Sequence, residues 1–411
     1  MAVEDSRQGR LTGALSPLSG ADRLYPAAAR GRPSAWCFTG SGTEPHLGLA
    51  QMTAPDSTVR RRLVRLTVVP GWLVLGTAAV LGAAGLVVAP EQSLPRRYQF
   101  LPLVASALLL GLPHGAVDHL TPSRARGRAV SVRDMAAVGL LYAVLGGLYA
   151  ALWFLLPVAA FVVFILLTWV HWGQGEVHAL GAVLAVEHLN TPGSRALTAL
   201  ARGTLPMLVP LVAFPGEYRF VASELVGLFG GSLGPLTAVF DPTGRAVVAV
   251  LVAGLLVGAV ASGYRRADSR RSWAVDAGEV GLLVGFFSLV PPILAVGLYF
   301  TCWHALRHVG RLIALDPVAR EALANGHTGR ALGRFTRDAT PLTLVSLALL
   351  GLLAALVPTS TAGVTDLVGL YLVLIAALTL PHVVVVAHLD REQAVWTPGK
   401  MGLTGGRPGQ R

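Results

Sequence analysis

From Leu66 to His388 the chain is a succession of apolar runs separated by polar loops. Runs of about 20 apolar residues cross the hydrocarbon core of a bilayer as helices. The runs cover residues 66–89, 98–120, 135–156, 158–180, 198–214, 246–263, 276–290, 293–313, 340–358 and 364–388, and residues 219–230 read as an additional interfacial helix. The stretch 276–313 is too long for one crossing. Pro291 and Pro292 divide it, because proline lacks a donor and pushes the residue before it out of helical geometry. Only 13% of the residues are charged, against roughly 25% in a soluble domain, and 53% are hydrophobic. The expected fold is an all-α bundle of about ten membrane-spanning helices.

The formal charge of +11 is carried mostly by arginine, and arginine-rich loops mark the cytoplasmic side. Arg60, Arg61 and Arg62 precede the first run and place the amino end inside. Ten crossings then put Arg124, Arg126, Arg128 and Arg133 on the same side, with Arg265, Arg266, Arg270 and Arg271, then Arg320, Arg330, Arg334 and Arg337. The tail with Arg391 and Lys400 also ends inside. Residues 1–60 contain no run long enough to span. They read as a disordered extension or an upstream mis-assigned start, with Met52 opening a more natural one, and residues 392–411 read as a disordered tail. Two cysteines, Cys37 and Cys302, stand in unrelated contexts and build no disulfide framework.

Histidines are concentrated inside the runs. The second run ends in LLGLPHGAVDHL, with His114, Asp118 and His119. The fourth ends in LTWVHWGQGEVHAL, with His171, Glu176 and His178. The eighth contains YFTCWHALRHVGR, with His304 and His308. The tenth ends in LTLPHVVVVAHLD, with His382, His388 and Asp390. Ionisable residues at membrane depth are costly and mark function. All four runs cross in the same direction and carry their histidines in the later part, so the four sets converge at one level. A bundle brings such residues to one point.

His304 and His308 are four apart and leave one helical face. His114 has Asp118 one turn on, placed to orient an imidazole. His171 lies between Trp169 and Trp172, deeper than His178. His119, His178 and His388 read as helix-end residues, His382 as pocket wall or support with a ligand role open, and Arg307 and Arg311 as anchors at the inner face. Imidazole suits iron, zinc, copper and nickel. Four histidines leave open positions on an octahedral ion, as O2 activation by Fe(II) requires. No HExxH motif supports zinc proteolysis.

GLPHGAVDH, HWGQGE and YFTCWHALRH together resemble the Brp/Blh family of bacterial and archaeal β-carotene 15,15′-dioxygenases, in order from about Arg60 to about Arg391. The resemblance implies an integral enzyme of the plasma membrane that cleaves the central double bond of β-carotene with O2 to give two all-trans-retinal, with a functional link to a retinal-binding rhodopsin. It implies Fe(2+) bound by His114, His171, His304 and His308. The family usually shows HFG where this chain has Trp172 in HWG. Asp118 and Glu176 are expected to support ligand histidines, and Trp169, Trp172, Tyr299, Phe300 and Trp303 to line an apolar tunnel. The alternatives are another membrane non-haem iron oxygenase, acting on a carotenoid or lipid, and a non-enzymatic assembly factor for a rhodopsin.

Overall fold

The computed structural model describes residues 57–88, 94–357, 363–399 and 401–403. Met52, His46, Cys37 and the rest of residues 1–56 lie outside these. Nine helices are long and apolar enough to cross a membrane among the described residues: α1 (Ser57–Val88), α2 (Arg96–Ala125), α3 (Val132–Leu155), α4 (Pro157–Val183), α5 (Pro192–Ala213), α7 (Pro242–Arg266), α8 (Arg270–Leu289), α10 (Thr328–Leu356) and α11 (Val364–Glu392). Between them lie the shorter α6 (Pro215–Gly227), where the interfacial helix was expected, and α9 (292–315). The α9 run is the eighth of the ten expected crossings. It is helical throughout, but His304, Arg307, His308 and Arg311 make it too polar to count among the nine.

Local chemistry sets the helix ends. Thr191 caps α5 by accepting from the Ser194 amide, with Pro192 at the first helical position. The amide of Asp134 donates to the Ser131 hydroxyl at the start of α3. The helix α8 ends at Leu289 and α9 begins at Pro292, as the proline pair dictates. The helix α10 starts twelve residues before its apolar run, because a polar helical segment extends past the hydrocarbon and carries no hydropathy signal.

Burial separates inner from outer helices. In α5 and α11, 61% of the apolar window is buried inside the protein, against 11% in α1 and α10. The inner pair therefore packs against protein on most sides, while the outer helices turn leucines to lipid. Close approach of α4 and α5 depends on glycine: a Cβ on Gly173 would fall 2.2 Å from the Ala199 carbonyl oxygen, and one on Gly203 2.1 Å from that of Trp169. Small residues at a crossing let backbones meet, the main source of helix association in lipid.

Gln393, Val395 and Leu403, expected in a disordered tail, are buried instead. The Arg195 guanidinium donates to the carbonyls of Leu189 and Val395, and the Gly399 amide donates to the Asn190 carbonyl. A buried arginine with several donors holds a peptide segment that has no regular structure of its own.

Candidate metal centre

Four helices bring five imidazoles together. The ring centroids of His171 and His304, and of His171 and His382, are 4.7 Å apart; those of His114 and His382 are 5.1 Å, and His308 and His382 5.2 Å apart. His114 lies 5.7 Å from His304 and 5.6 Å from His308. All five are buried. One ring nitrogen each of His114, His171 and His382 falls within 4.8 Å of the others, a spacing that could hold a metal ion. His382, read from sequence as support, thus stands inside the group. LPHGAVDHL and LPHVVVVAHLD each contain a Pro-His pair, and each pair delivers one imidazole to the same cluster.

Each ring is aimed by its own element. The second helix breaks at Leu110–Leu112, ahead of Pro113, and the Gly111 carbonyl freed there accepts from His114 Nδ1 at 2.5 Å. That bond leaves Nε2 of His114 for the cluster. A Cβ on Gly111 would lie 2.6 Å from the Tyr371 hydroxyl and 2.7 Å from the Ser106 carbonyl oxygen, so the break accommodates only glycine. His304 lies in a stretch of π-helix over Phe300–Ala305, after which α-helix resumes. Wider turns of this kind recur at functional sites. The stretch changes the α-helical register that was expected to relate His304 to His308.

Asp118 supports the site differently from expectation. Its Oδ2 accepts from His382 Nδ1 at 2.7 Å and from the Tyr142 hydroxyl at 2.6 Å, so it orients His382 rather than its helical neighbour His114. A carboxylate on one imidazole nitrogen fixes the tautomer and bares the other as a ligand. Nε2 of His382 and Nε2 of His308 have no hydrogen-bond partner, and Nε2 of His304 faces Nε2 of His171 at 3.0 Å. Buried acceptors without partners are costly, and an ion among them would satisfy several at once. The donor set is neutral nitrogen throughout, which fits iron, zinc, copper or nickel.

The cluster forms a partition. On one side is a cavity of ≈ 500 Å³ whose wall includes His114, His119, His171 and His382. On the other is a polar void of ≈ 10 Å³ bounded by Glu176, His178, His304, Arg307, His308 and Arg311. His178 is therefore buried behind the site and not at a headgroup, and His119 reaches the large cavity. His388 is half-exposed and pairs with Arg126, as a helix-end residue should.

Two further expectations change. Glu176 hydrogen-bonds to none of the five clustered histidines: it accepts from Trp303 Nε1 at 2.7 Å and from Arg202 at 2.8 Å. Arg307 is no surface anchor either. It is buried, donates to Glu279 at 2.5 Å and lies 3.8 Å over the Trp303 ring. Arg202 also binds Asp276 at 2.8 Å and contacts Glu279, which accepts from Trp72 Nε1 at 2.7 Å. Arg311 is buried against Asp390 at 2.7 Å and Gln393 at 2.8 Å. These pairs clamp α9 to α4, α5, α8 and α11. Sequence reading missed Arg202, Asp276, Glu279 and His188, which pairs with Asp276 at 2.9 Å, although three charges within apolar runs were a signal. Nothing in the sequence pointed to Tyr142.

Of the aromatic candidates, Trp172 and Phe300 line the cavity. Tyr299 packs between Phe287 and Trp172, Trp303 is held by Glu176 and Arg307, and Trp169 donates to the Leu200 carbonyl at 2.7 Å. Their faces are committed to helix packing. Cavity walls missed from sequence include Phe161, Phe164 and Tyr142.

The fold and site together define a polytopic helical membrane protein with a buried histidine cluster facing an apolar cavity. The chain belongs to the β-carotene 15,15′-dioxygenase family, whose model matches residues 105–390. It is 46% identical to the probable β-carotene 15,15′-dioxygenase Blh of Halobacterium salinarum, over 84% of this chain and 98% of that protein. It is 32% identical to the probable β-carotene 15,15′-dioxygenase Brp of the same species, over 72% and 86%, and 22% identical to a β-carotene 15,15′-dioxygenase of an uncultured marine bacterium, over 50% and 66%. No solved structure matches.

Proposed function

We propose that this protein cleaves the central 15,15′ double bond of β-carotene with O2, giving two molecules of all-trans-retinal. The observation that carries the reading is the cluster of imidazoles set into the wall of an apolar cavity that reaches the lipid-facing surface. The double bond breaks and each of its carbons gains one oxygen atom from O2, so no protein proton is consumed. This chemistry suits a wall whose one carboxylate at the cluster, Asp118, is already engaged by Tyr142 and His382.

The residues that would hold Fe(II) are His114, His171, His304 and His308, with His382 as a fifth ligand through Nε2. Fe(II) bound there supplies the redox chemistry that makes O2 reactive toward an alkene. The remaining work belongs to the chain. The Gly111 carbonyl and the Asp118 carboxylate fix two imidazoles, the ion pairs around Arg202 and Arg307 hold α9 in register, and the cavity excludes water from the polyene. Trp172 and Phe300 present ring surface to it. The nine apolar helices, with α9 as a tenth crossing, and the arginine-rich loops support a multi-pass protein of the plasma membrane, with both ends in the cytoplasm. Retinal released into that bilayer would supply a retinal-binding rhodopsin.

Expression in a bacterium that accumulates β-carotene tests the activity. Loss of orange colour with retinal in the extract is expected, and persistence of colour with inserted protein refutes it. His114→Ala, His304→Ala and His382→Ala should lose iron and cleavage, while His388→Ala keeps both. If His382→Ala keeps its iron, the fifth ligand is wrong and the other four stand.

A further inference from the structure

The ≈ 500 Å³ cavity is asymmetric about the histidines. On one side it opens between α3 and α10, where the lining residues Leu342, Val345 and Leu349 are 37%, 50% and 40% exposed. On the other it follows α11 back toward its start and meets Phe100, Ile293 and Val368, which are 6%, 5% and 4% exposed, with the partly exposed Thr365 lining it one turn further. These three pack with Leu103 as one apolar cluster, against which Val221 of α6 also rests. Phe220 lines the same end. The guanidinium of Arg96, one turn before Phe100, lies 3.9 Å over the Phe220 ring and fixes its position.

The depth of this arm as far as Val368 follows from α11. Val368 precedes His382 by fourteen residues on one continuous helix, about 20 Å along the axis at the α-helical rise. The His382 side chain leans back toward the helix start, which shortens that distance somewhat. What remains is close to the extended length of one retinal molecule, half of β-carotene.

A polyene offers no polar handle, and apolar contact is non-directional. Sliding it by one double bond within a smooth apolar tube changes the contact energy little. Register must then come from a wall. We infer that Phe100 and Phe220 form a stop that selects the bond to be cut. The ring that enters first halts against them, and the central double bond then lies at His114, His171 and His382. The open side between α3 and α10 takes the trailing half and measures nothing. This inference rests on the proposed cleavage of β-carotene and adds what determines its position.

The test is the product pattern of the full-length protein in membranes supplied with β-carotene and O2. Phe100→Ala and Phe220→Ala deepen the arm, and Val368→Phe shortens it. Wild type is expected to yield retinal alone. The wall variants are expected to yield, as a major share of product, an aldehyde two carbons longer than retinal and a ketone two carbons shorter. Both arise by breaking the neighbouring double bond, with one oxygen of O2 on each carbon. A carotenal bearing a single ring gives the direction: the ring-bearing fragment should lengthen in the alanine variants and shorten in Val368→Phe. Phe220 sits half-buried on α6, so Phe220→Ala stands as a test even where Phe100→Ala misfolds. Retinal as sole product of Phe220→Ala and Val368→Phe overturns the stop. So does loss of all cleavage in every wall variant with protein and iron retained, because a stop predicts altered register and not lost turnover. Absence of retinal from the wild type would instead refute the cleavage reading itself.

Discussion

Asp118→Asn isolates what the carboxylate does for the site. The substitution keeps the shape, and Asp118 Oδ1 has no partner to lose. It removes the charge behind two hydrogen bonds, from His382 Nδ1 at 2.7 Å and from Tyr142 at 2.6 Å. Bonds to a charged group contribute about 1.5–3 kcal/mol, against about 0.5–1.5 kcal/mol between neutral groups. Two bonds weakened by about 1 kcal/mol each cost ~2 kcal/mol in the orientation of His382, roughly 30-fold in iron affinity at 1.4 kcal/mol per decade. That falls within the range of about 10–100-fold seen when a ligand's supporting partner is removed. Competition with a chelator of known affinity measures it, and retinal formation at saturating iron should recover. Tyr142→Phe removes one of the two bonds and should cost about 1 kcal/mol, close to 5-fold. The double variant should be less than additive, because the two donors share one carboxylate oxygen. Iron affinity of Asp118→Asn within about two-fold of wild type would show that His382 is not a ligand held by this carboxylate.

Glu279→Ala leaves Arg202 and Arg307 buried with less counter-charge and should cost about 3–5 kcal/mol, read as a lowered unfolding midpoint in detergent. Gly111→Ala drives a methyl against the Tyr371 hydroxyl and the Ser106 carbonyl and should destabilise by about 1–3 kcal/mol, with a matching loss of iron as His114 is displaced. Chelation should lower the unfolding midpoint of the wild type, since a ligand bound only by the folded state stabilises it; His304→Ala should abolish that difference. Trp172→Ala should impair turnover of β-carotene, whereas Trp169→Phe, altered away from the cavity, should leave it near wild type.

Helices and their order were legible from hydropathy because a bilayer leaves the backbone no other partner than itself. The ends missed were polar ones. The helix α10 runs on into water from Thr328 to its apolar run, and α7 extends to Arg266, and neither extension alters the apolar signal. The histidine segments were equally plain, because an imidazole at membrane depth is expensive without a purpose.

Partnership was not legible. Arg307 and Arg311 look like inner-face anchors on a one-dimensional chain, and only the packing of α4, α8 and α11 shows that carboxylates meet them in the interior. Asp118 lies one turn from His114 in sequence, yet its bond goes to His382, 264 positions away. The break at Gly111 turns His114 onto its own helix, and the third and eleventh helices bring Tyr142 and His382 to the vacant carboxylate. By itself, the sequence determined an all-helical membrane bundle with histidines gathered at one level, since spacing and hydropathy are local properties of the chain. Which imidazoles share a space, which charges neutralise each other and where the cavity closes were decided by tertiary structure, because each depends on the rotation and depth of helices that hydropathy leaves free.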